Sequence, residues 1–168
     1  MSCEEMFTKE YVDKVNRAYS IMCSRKQSLP KIVESVAKQT DNILDYGAGK
    51  DAFGTKYLRE KGFNTTAYEI GGNVVNGVHD PDALRMRYDI VFASNVFNIQ
   101  PTYSDVLDCI LEIQALIVKG GKFICNFPKP VKNEMIADDL AAILRLGFQG
   151  GVEKVKNSSP TWVCVYDW

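Results

Sequence analysis

The chain has 168 residues, 46% of them hydrophobic and 24% charged, which is the composition of an ordinary soluble globular protein. Its 20 basic and 21 acidic residues give a net charge of -1, so a nucleic-acid-binding role would need a local basic patch. Five cysteines without a C-x-x-C pair disfavour a disulfide framework or a zinc site and favour a reducing cytoplasm. We therefore expect a single cytoplasmic domain covering residues 1–168, with no metal ion and no membrane partner.

Periodic apolar residues predict two helices in the first part of the chain. The first covers residues 4–23, and the second follows a capping Ser28. Together, residues 1–40 are expected to form an N-terminal helical cap on the domain. The short apolar stretch "NILDY" (42–46) then predicts a buried parallel strand that leads into a glycine turn and a helix. The β-rich stretch "NTTAYEI" (64–70) predicts a second strand.

Helix and strand patterns alternate through the rest of the chain. A strand is predicted over 88–94, a helix near 104–118, a strand at "KFICNF" and a helix over about 132–146. Two further strands, "GGVEKVK" and "TWVCVYDW", are joined by a short turn. This order predicts an α/β fold, namely a Rossmann-like open and mostly parallel sheet with helices on both faces and a C-terminal antiparallel hairpin.

The glycine turn after the first strand predicts a ligand site. Residues 47–52 fit the dinucleotide fingerprint G-x-G-x-x-A, and Glu69 lies about where a ribose-binding acid belongs. However, Asp45 precedes the turn and Asp51 follows it, and like charges this close to a pyrophosphate would cost several kcal/mol. S-adenosylmethionine suits the turn better, because it carries a sulfonium, an ammonium and only one carboxylate. Asp45 could then bind the ammonium group.

The stretch from Asn42 to Pro130 resembles the class I S-adenosylmethionine-dependent methyltransferases. Their first motif reads acid-x-Gly-x-Gly-x-Gly, and "DYGAGKD" is similar to it, with Asp51 in place of the third glycine. "AYEI" resembles the end of the family's second strand, where an acid binds the ribose hydroxyls. "DAL" resembles the third motif, whose acid contacts adenine, and "YDIVFASNVFNIQ" resembles the fourth. More narrowly, "LDYGAGK" and "ASNVFNIQ" resemble small methyltransferase-like proteins of bacteriophages, which would place the protein in a host cytoplasm.

This resemblance implies S-adenosylmethionine as the cofactor and a set of residues that bind it. The implied cofactor-binding residues are Asp45, Gly47, Ala48, Gly49, Glu69, Ile70, Asp82, Ala83, Ser94 and Asn95.

The chain departs from the family between Ile70 and Asp89, where the family normally has two crossovers around an extra edge strand. Only about 18 residues lie there, and one crossover with its helix needs at least about 10–12. We therefore predict that the third strand is missing or reduced to a stub around 74–78. The adenine pocket would then be lined by loop residues, which makes Asp80 a rival to Asp82.

Two residues are candidates for a catalytic role. Asn95 follows the predicted strand 88–94 and could orient a substrate group, or it could simply hold its loop by side-chain hydrogen bonds. His79 is the only histidine and could act as a general base near neutral pH, with an ordinary surface residue as the alternative.

The sequence therefore predicts a single-domain S-adenosylmethionine-dependent methyltransferase whose acceptor is unidentified. The small size favours a compact acceptor, or a partner protein that delivers the substrate. Three alternatives stay open: a non-catalytic module that binds S-adenosylmethionine, an enzyme that degrades it without an acceptor, and a nicotinamide-dependent dehydrogenase.

Overall fold

The computed structural model describes residues 8–18, 29–128, 137–148, 152–158 and 161–167. The elements are helix α1 (Lys9–Ala18), helix α2 (Leu29–Val36), strand β1 (Asn42–Tyr46), helix α3 (Phe53–Glu60), strand β2 (Asn64–Tyr68), strand β3 (Tyr88–Ser94), helix α4 (Tyr103–Leu116), strand β4 (Ile117–Pro128), helix α5 (Ala137–Gly147), strand β5 (Val152–Ser158) and strand β6 (Thr161–Asp167). Single 3-10 turns lie at Gly71–Asn73, Ala83–Arg85 and Phe97–Ile99.

The strands form one six-stranded sheet with the order β2-β1-β3-β4-β6-β5. Strands β2, β1, β3 and β4 are parallel, β6 is antiparallel to β4, and β5 is antiparallel to β6. The prediction of a Rossmann-like, mostly parallel sheet flanked by helices is confirmed. The chain leaves β1 toward β2 on one side and returns to β3 on the other, so a crevice is expected at the carboxyl ends of β1 and β3.

The central strand β1 sends alternate side chains into the two layers of the core. Ile43 packs beneath α2 and α3, in a cluster with Leu29, Val33, Leu58, Phe63, Ile90, Phe92 and Ile124. Leu44 and Tyr46 face the opposite layer, which α4 and α5 cover with residues including Val106, Ile110, Ile113, Leu140 and Leu144. The period-2 alternation of a strand explains this division. It also places Asp45 on the side of α3.

The third strand is absent, as predicted. Residues 69–87, all of which are described, contain only two 3-10 turns and an isolated bridge between Asn76 and His79. Strand β2 therefore forms an edge of the sheet, and other groups cover its outer carbonyls. The Arg59 Nε donates to the Thr65 carbonyl at 2.7 Å, and the Asp80 N–H donates to the Ala67 carbonyl at 2.9 Å. These bonds occupy acceptors that an open edge would offer to another strand.

Helix α1 packs beside α4, on the face of the sheet that carries Tyr46. Its Tyr11 is buried, and the hydroxyl donates to Gln100 Oε1 and lies 3.8 Å from Cys109 Sγ. The helix also contacts the turn at Gly71–Asn73. Helix α2 packs on the opposite face, so the two described helices of residues 1–40 lie on different sides of the sheet. Residues 4–7, 19–23, Ser28 and 132–136 of the predicted helices lie outside the described residues.

Strand β4 begins earlier than predicted. We expected the helix near 104–118 to include Ile117, but α4 ends at Leu116 and Ile117 pairs with Tyr88 in the sheet. The register between β3 and β4 shifts after this pair, and Gly121 lies in the shifted segment. A Cβ atom on Gly121 would be 2.7 Å from the Asp89 carbonyl oxygen, so a larger residue would not fit at this position. Gly120 and Gly121 thus lie in an irregular part of β4 and not in a loop between helix and strand.

Within the described ranges, no helix combines the length and the apolar character that crossing a bilayer requires.

Candidate functional site

Asp45 places a buried carboxylate near the carboxyl end of β1. The residue is 1% exposed, its Oδ2 accepts a hydrogen bond from Thr55 Oγ1 at 2.8 Å, and its Oδ1 has no hydrogen-bond partner among the described residues. Burial raises the pKa of Asp45 from 3.8 to about 7. Hydrogen bonds from Thr55 and the charge of Arg59 act against this increase in the pKa, and the Glu69 carboxylate adds to it. The Thr55 bond ties one oxygen to α3. The other oxygen keeps an acceptor capacity that no group in the described part of the chain uses.

The glycine turn after β1 is held tightly against β2. The N–H groups of Gly47 and Ala48 both donate to the Tyr68 carbonyl, at 3.0 and 2.9 Å. Gly47 and Gly49 each have a φ of 72°, which favours glycine. A Cβ atom on Gly47 would also lie 2.6 Å from Val96 Cγ2, so the turn that follows β3 packs directly on this glycine. The turn therefore brings the loops after β1, β2 and β3 together.

Glu69 follows β2 and bonds with both oxygens to the main chain. Its Oε2 accepts from the Gly49 N–H at 2.7 Å, and its Oε1 accepts from the Ile70 N–H at 2.8 Å. Burial raises the pKa of Glu69, and the two N–H bonds and His79 oppose this shift. Each carboxylate oxygen retains a second lone pair, so the carboxylate can still accept hydrogen bonds from the hydroxyls of a diol.

His79 is buried, with 7% exposure, so the alternative of a surface histidine is wrong. Its Nδ1 accepts from the Val75 N–H at 2.9 Å, and its Nε2 lies 2.9 Å from the Gly49 carbonyl oxygen. A backbone N–H can only donate, so Nδ1 is the unprotonated nitrogen and Nε2 donates to Gly49. With both ring nitrogens bonded to the main chain, the geometry favours a role in holding the loop over that of a general base.

The two candidate adenine-binding acids have different surroundings. Asp82 is exposed and forms an ion pair of 2.8 Å with Arg85, between Oδ1 and Nη1. Asp80 is half-buried; its backbone is bonded to β2, and its Oδ1 accepts from the Asp82 N–H at 2.8 Å. Ala83 is buried, and its carbonyl accepts from the Tyr88 hydroxyl at 2.8 Å. Asp80 thus lies against the sheet, whereas the Asp82 side chain points to solvent and to Arg85.

Uncharged polar residues gather where β3 and β4 end. Ser94 and Asn98 are buried, and neither Ser94 Oγ nor Asn98 Oδ1 has a hydrogen-bond partner within the described ranges. Asn95 has a φ of 58°, and its N–H donates to Oδ1 and to the carbonyl oxygen of Asn126, at 2.9 and 3.2 Å. The loop is therefore tied down by the Asn126 side chain, and the Asn95 side chain makes no hydrogen bond within the described part of the chain. Ser94 and Asn126 are also direct partners in the sheet.

Neither Asn98 nor Asn126 was among the predicted site residues. Asn126 interrupts the apolar run "KFICNF", and a polar residue at the end of a buried strand was the signal that could have found it.

A second buried polar pair lies behind the site and was also missed. The Tyr46 hydroxyl donates to Glu112 Oε1 at 2.7 Å, and both residues are buried. Burial raises the pKa of Tyr46 well above its ordinary value and raises that of Cys109 to about 12. Glu112 falls on the buried side of α4, where a charged residue within an apolar stripe was the available signal.

Several solved structures share this fold. A TehB-like S-adenosylmethionine-dependent methyltransferase from Corynebacterium glutamicum has a TM-score of 0.67 and 11% identity, over 95% of this chain and 98% of that chain. The 1,6-didemethyltoxoflavin-N1-methyltransferase of Burkholderia thailandensis, solved with 1,6-didemethyltoxoflavin and S-adenosylhomocysteine, has a TM-score of 0.66 and 17% identity, over 99% and 90%. A methyltransferase from Bacteroides fragilis in complex with S-adenosylhomocysteine has a TM-score of 0.63 and 14% identity, over 84% and 77%.

At these identities, the structural likeness establishes the fold alone. None of the curated proteins compared with the chain matches it in sequence. A family model described as a methyltransferase domain matches residues 13–145, which is well over half of the chain. The chain therefore belongs to the methyltransferase-domain family, and the resemblance to class I S-adenosylmethionine-dependent methyltransferases is confirmed.

Proposed function

We propose that the chain binds S-adenosylmethionine in the crevice at the carboxyl ends of β1, β2 and β3 and transfers its methyl group to an acceptor. The observation that carries this proposal is the Asp45 carboxylate, which is 1% exposed and leaves Oδ1 without a partner among the described residues. A buried carboxylate is costly unless a cation or donor compensates it. The ammonium group of S-adenosylmethionine is such a partner, bound directly or through water.

The rest of the site fits the same ligand. In this proposal the main chain of the glycine turn contacts the methionine portion, and Glu69 accepts hydrogen bonds from both ribose hydroxyls. For the adenine amino group we favour Asp80 over Asp82, because Asp80 lies against β2 and Asp82 is 61% exposed. The buried Asp45 would repel a pyrophosphate at this turn, which argues against a nicotinamide cofactor.

The bound cofactor supplies a methyl group that its sulfonium already activates, so the protein has to orient the acceptor. We assign this task to the uncharged groups at the ends of β3 and β4. Ser94 Oγ and Asn98 Oδ1 are buried and have no hydrogen-bond partner among the described residues, and the half-buried Asn95 side chain is the candidate for contact with the acceptor. Asn98 Oδ1 can accept a hydrogen bond from an acceptor N–H or O–H but cannot remove its proton. These groups therefore favour a neutral nucleophile, such as an amine nitrogen, that attacks before it loses its proton.

Titration calorimetry with S-adenosylmethionine, S-adenosylhomocysteine and NAD tests the cofactor assignment. We expect the two sulfur nucleosides to bind and NAD not to bind, and Asp45→Ala to abolish the binding of S-adenosylmethionine. Tight NAD binding that persists in Asp45→Ala, without S-adenosylmethionine binding, would contradict the proposal.

Mass spectrometry of a cell lysate incubated with labelled S-adenosylmethionine tests the reaction. Methyl transfer yields S-adenosylhomocysteine and a labelled product, which would also identify the acceptor. An intact cofactor would instead indicate a binding module, and other fragments would indicate a degrading enzyme. If the labelled product forms only when a second protein is present, a partner delivers the acceptor.

A further inference from the structure

We propose that His79 is a positioning residue that fixes the glycine turn so that Glu69 can recognise the ribose hydroxyls. This inference rests on the proposed binding of S-adenosylmethionine and assigns a determinant of its ribose recognition. His79 contacts neither the acceptor nor the methyl group in this view. It acts through Gly49, whose carbonyl oxygen accepts from His79 and whose N–H donates to Glu69.

Four hydrogen bonds connect the glycine turn with the segment between β2 and β3. The Val75 N–H donates to His79 Nδ1 at 2.9 Å, and His79 Nε2 donates to the Gly49 carbonyl at 2.9 Å. The Gly49 N–H then donates to Glu69 Oε2 at 2.7 Å, and the Ile70 N–H donates to Glu69 Oε1 at 2.8 Å. Both polar atoms of Gly49 are therefore bonded: the N–H donates to the carboxylate, and the carbonyl accepts from the imidazole and also from the Ala52 N–H at 3.1 Å. A displacement of Gly49 is therefore expected to change the position of the carboxylate that its N–H binds.

The missing third strand explains why a side chain is needed for this task. Residues 69–87 have no strand to align them with β2. The Asp80 N–H bond to the Ala67 carbonyl fastens the segment to β2, whereas the isolated bridge between Asn76 and His79 lies within the segment itself. The imidazole adds a bond from the same segment to the glycine turn. His79 is 7% exposed, so water cannot readily replace it as the donor to Gly49.

The methionine end of the site is held by different contacts. Asp45 is bonded to Thr55 of α3, and Gly47 and Ala48 are bonded to the Tyr68 carbonyl. None of these bonds involves His79. Loss of the imidazole should therefore weaken recognition of the ribose hydroxyls more than recognition of the amino-acid portion.

The test compares the affinities of the protein for S-adenosylhomocysteine and for its 2′,3′-dideoxy analogue, measured by calorimetry. We expect the wild type to bind the natural compound more tightly than the analogue. In His79→Ala the ratio of the two affinities should fall about tenfold, which is roughly the effect of one well-formed hydrogen bond. His79→Gln retains an N–H that can reach Gly49, and we expect it to recover part of the preference. Val74→Ala alters an exposed side chain of the same loop, outside the hydrogen-bond chain, and serves as the matched control.

The outcomes separate this proposal from simpler explanations. Equal loss of affinity for both compounds in His79→Ala, or an unchanged preference, would overturn the positioning role. Thermal unfolding of each variant shows whether it is folded. If His79→Ala is unfolded, the comparison is made with His79→Gln instead. Failure of the wild type to bind S-adenosylhomocysteine at all would instead refute the proposed function.

Discussion

The free energy of unfolding of Asp45→Asn, relative to that of the wild type, should increase as the pH rises from acid to neutral. Burial raises the pKa of this carboxyl from 3.8 to about 7. Between these values the folded state holds a proton that the unfolded state has released, so the free energy of unfolding falls as pH rises. A shift of about three pKa units corresponds to about 4 kcal/mol, and this is the upper limit of the destabilisation above pH 7.

The variant removes this pH dependence because an amide does not titrate. The introduced amide would still accept the Thr55 hydrogen bond, but its N–H₂ group would lack a partner, at a cost of about 1–3 kcal/mol that does not vary with pH. Between about pH 5 and pH 7, the stability of Asp45→Asn relative to the wild type should therefore rise by about 2 kcal/mol. For a domain of this size, the difference in Tm should change by about 4–8 °C.

Thermal and urea unfolding of both proteins at several pH values measure this difference. Asp13→Asn changes an exposed carboxylate on α1 and should follow the wild-type curve. Parallel curves for Asp45→Asn and the wild type would mean that Asp45 is not a buried, proton-binding group, and the electrostatic basis of the cofactor site would fail. The variant should also lose S-adenosylmethionine binding, which would show that the carboxylate is kept at the expense of stability.

Three further predictions follow from other contacts of the site. Because Asp45 must be ionised to bind an ammonium group, the affinity for S-adenosylmethionine should be about tenfold weaker at about pH 6 than at pH 8, measured by calorimetry, and a flat profile would contradict this. Gly47→Ala should lower the free energy of unfolding by about 1–3 kcal/mol, because alanine disfavours the positive φ and its Cβ would overlap with Val96. Adding Val96→Ala should restore part of this loss in chemical denaturation, and no restoration would mean that the overlap is unimportant. Arg59→Ala uncovers the Thr65 carbonyl at the edge of β2 and should increase aggregation in light scattering, whereas unchanged solubility would show that the edge needs no cover.

The parallel strands of the sheet could be predicted from the sequence because each of them is a short apolar run. The predicted strand 88–94 matches β3, and "NILDY" matches β1. The spacing between Ile70 and Asp89 also predicted the loss of the third strand, since a chain of that length cannot form two crossovers. The start of β4 could not be predicted in this way, because the apolar residues of α4 continue into the strand without a break.

The candidate site was predictable only where it depends on local sequence. Asp45, the glycines and Glu69 lie at strand ends, which a single sequence can indicate. The burial of His79 depends on Gly49, 30 residues away, and the anchoring of Asn95 depends on Asn126, 31 residues away. Contacts of this kind arise from tertiary packing and leave no periodic pattern.

The position of α1 has a consequence for how the protein is made. Tyr11 leaves the ribosome well before Gln100 and Cys109, which it contacts and which follow 89 and 98 residues later. The nascent helix must therefore wait, without these partners, until the first three strands of the sheet have been translated. Docking of α1 is thus a late event in synthesis, and a bulky fusion placed directly upstream of Lys9 would interfere with it.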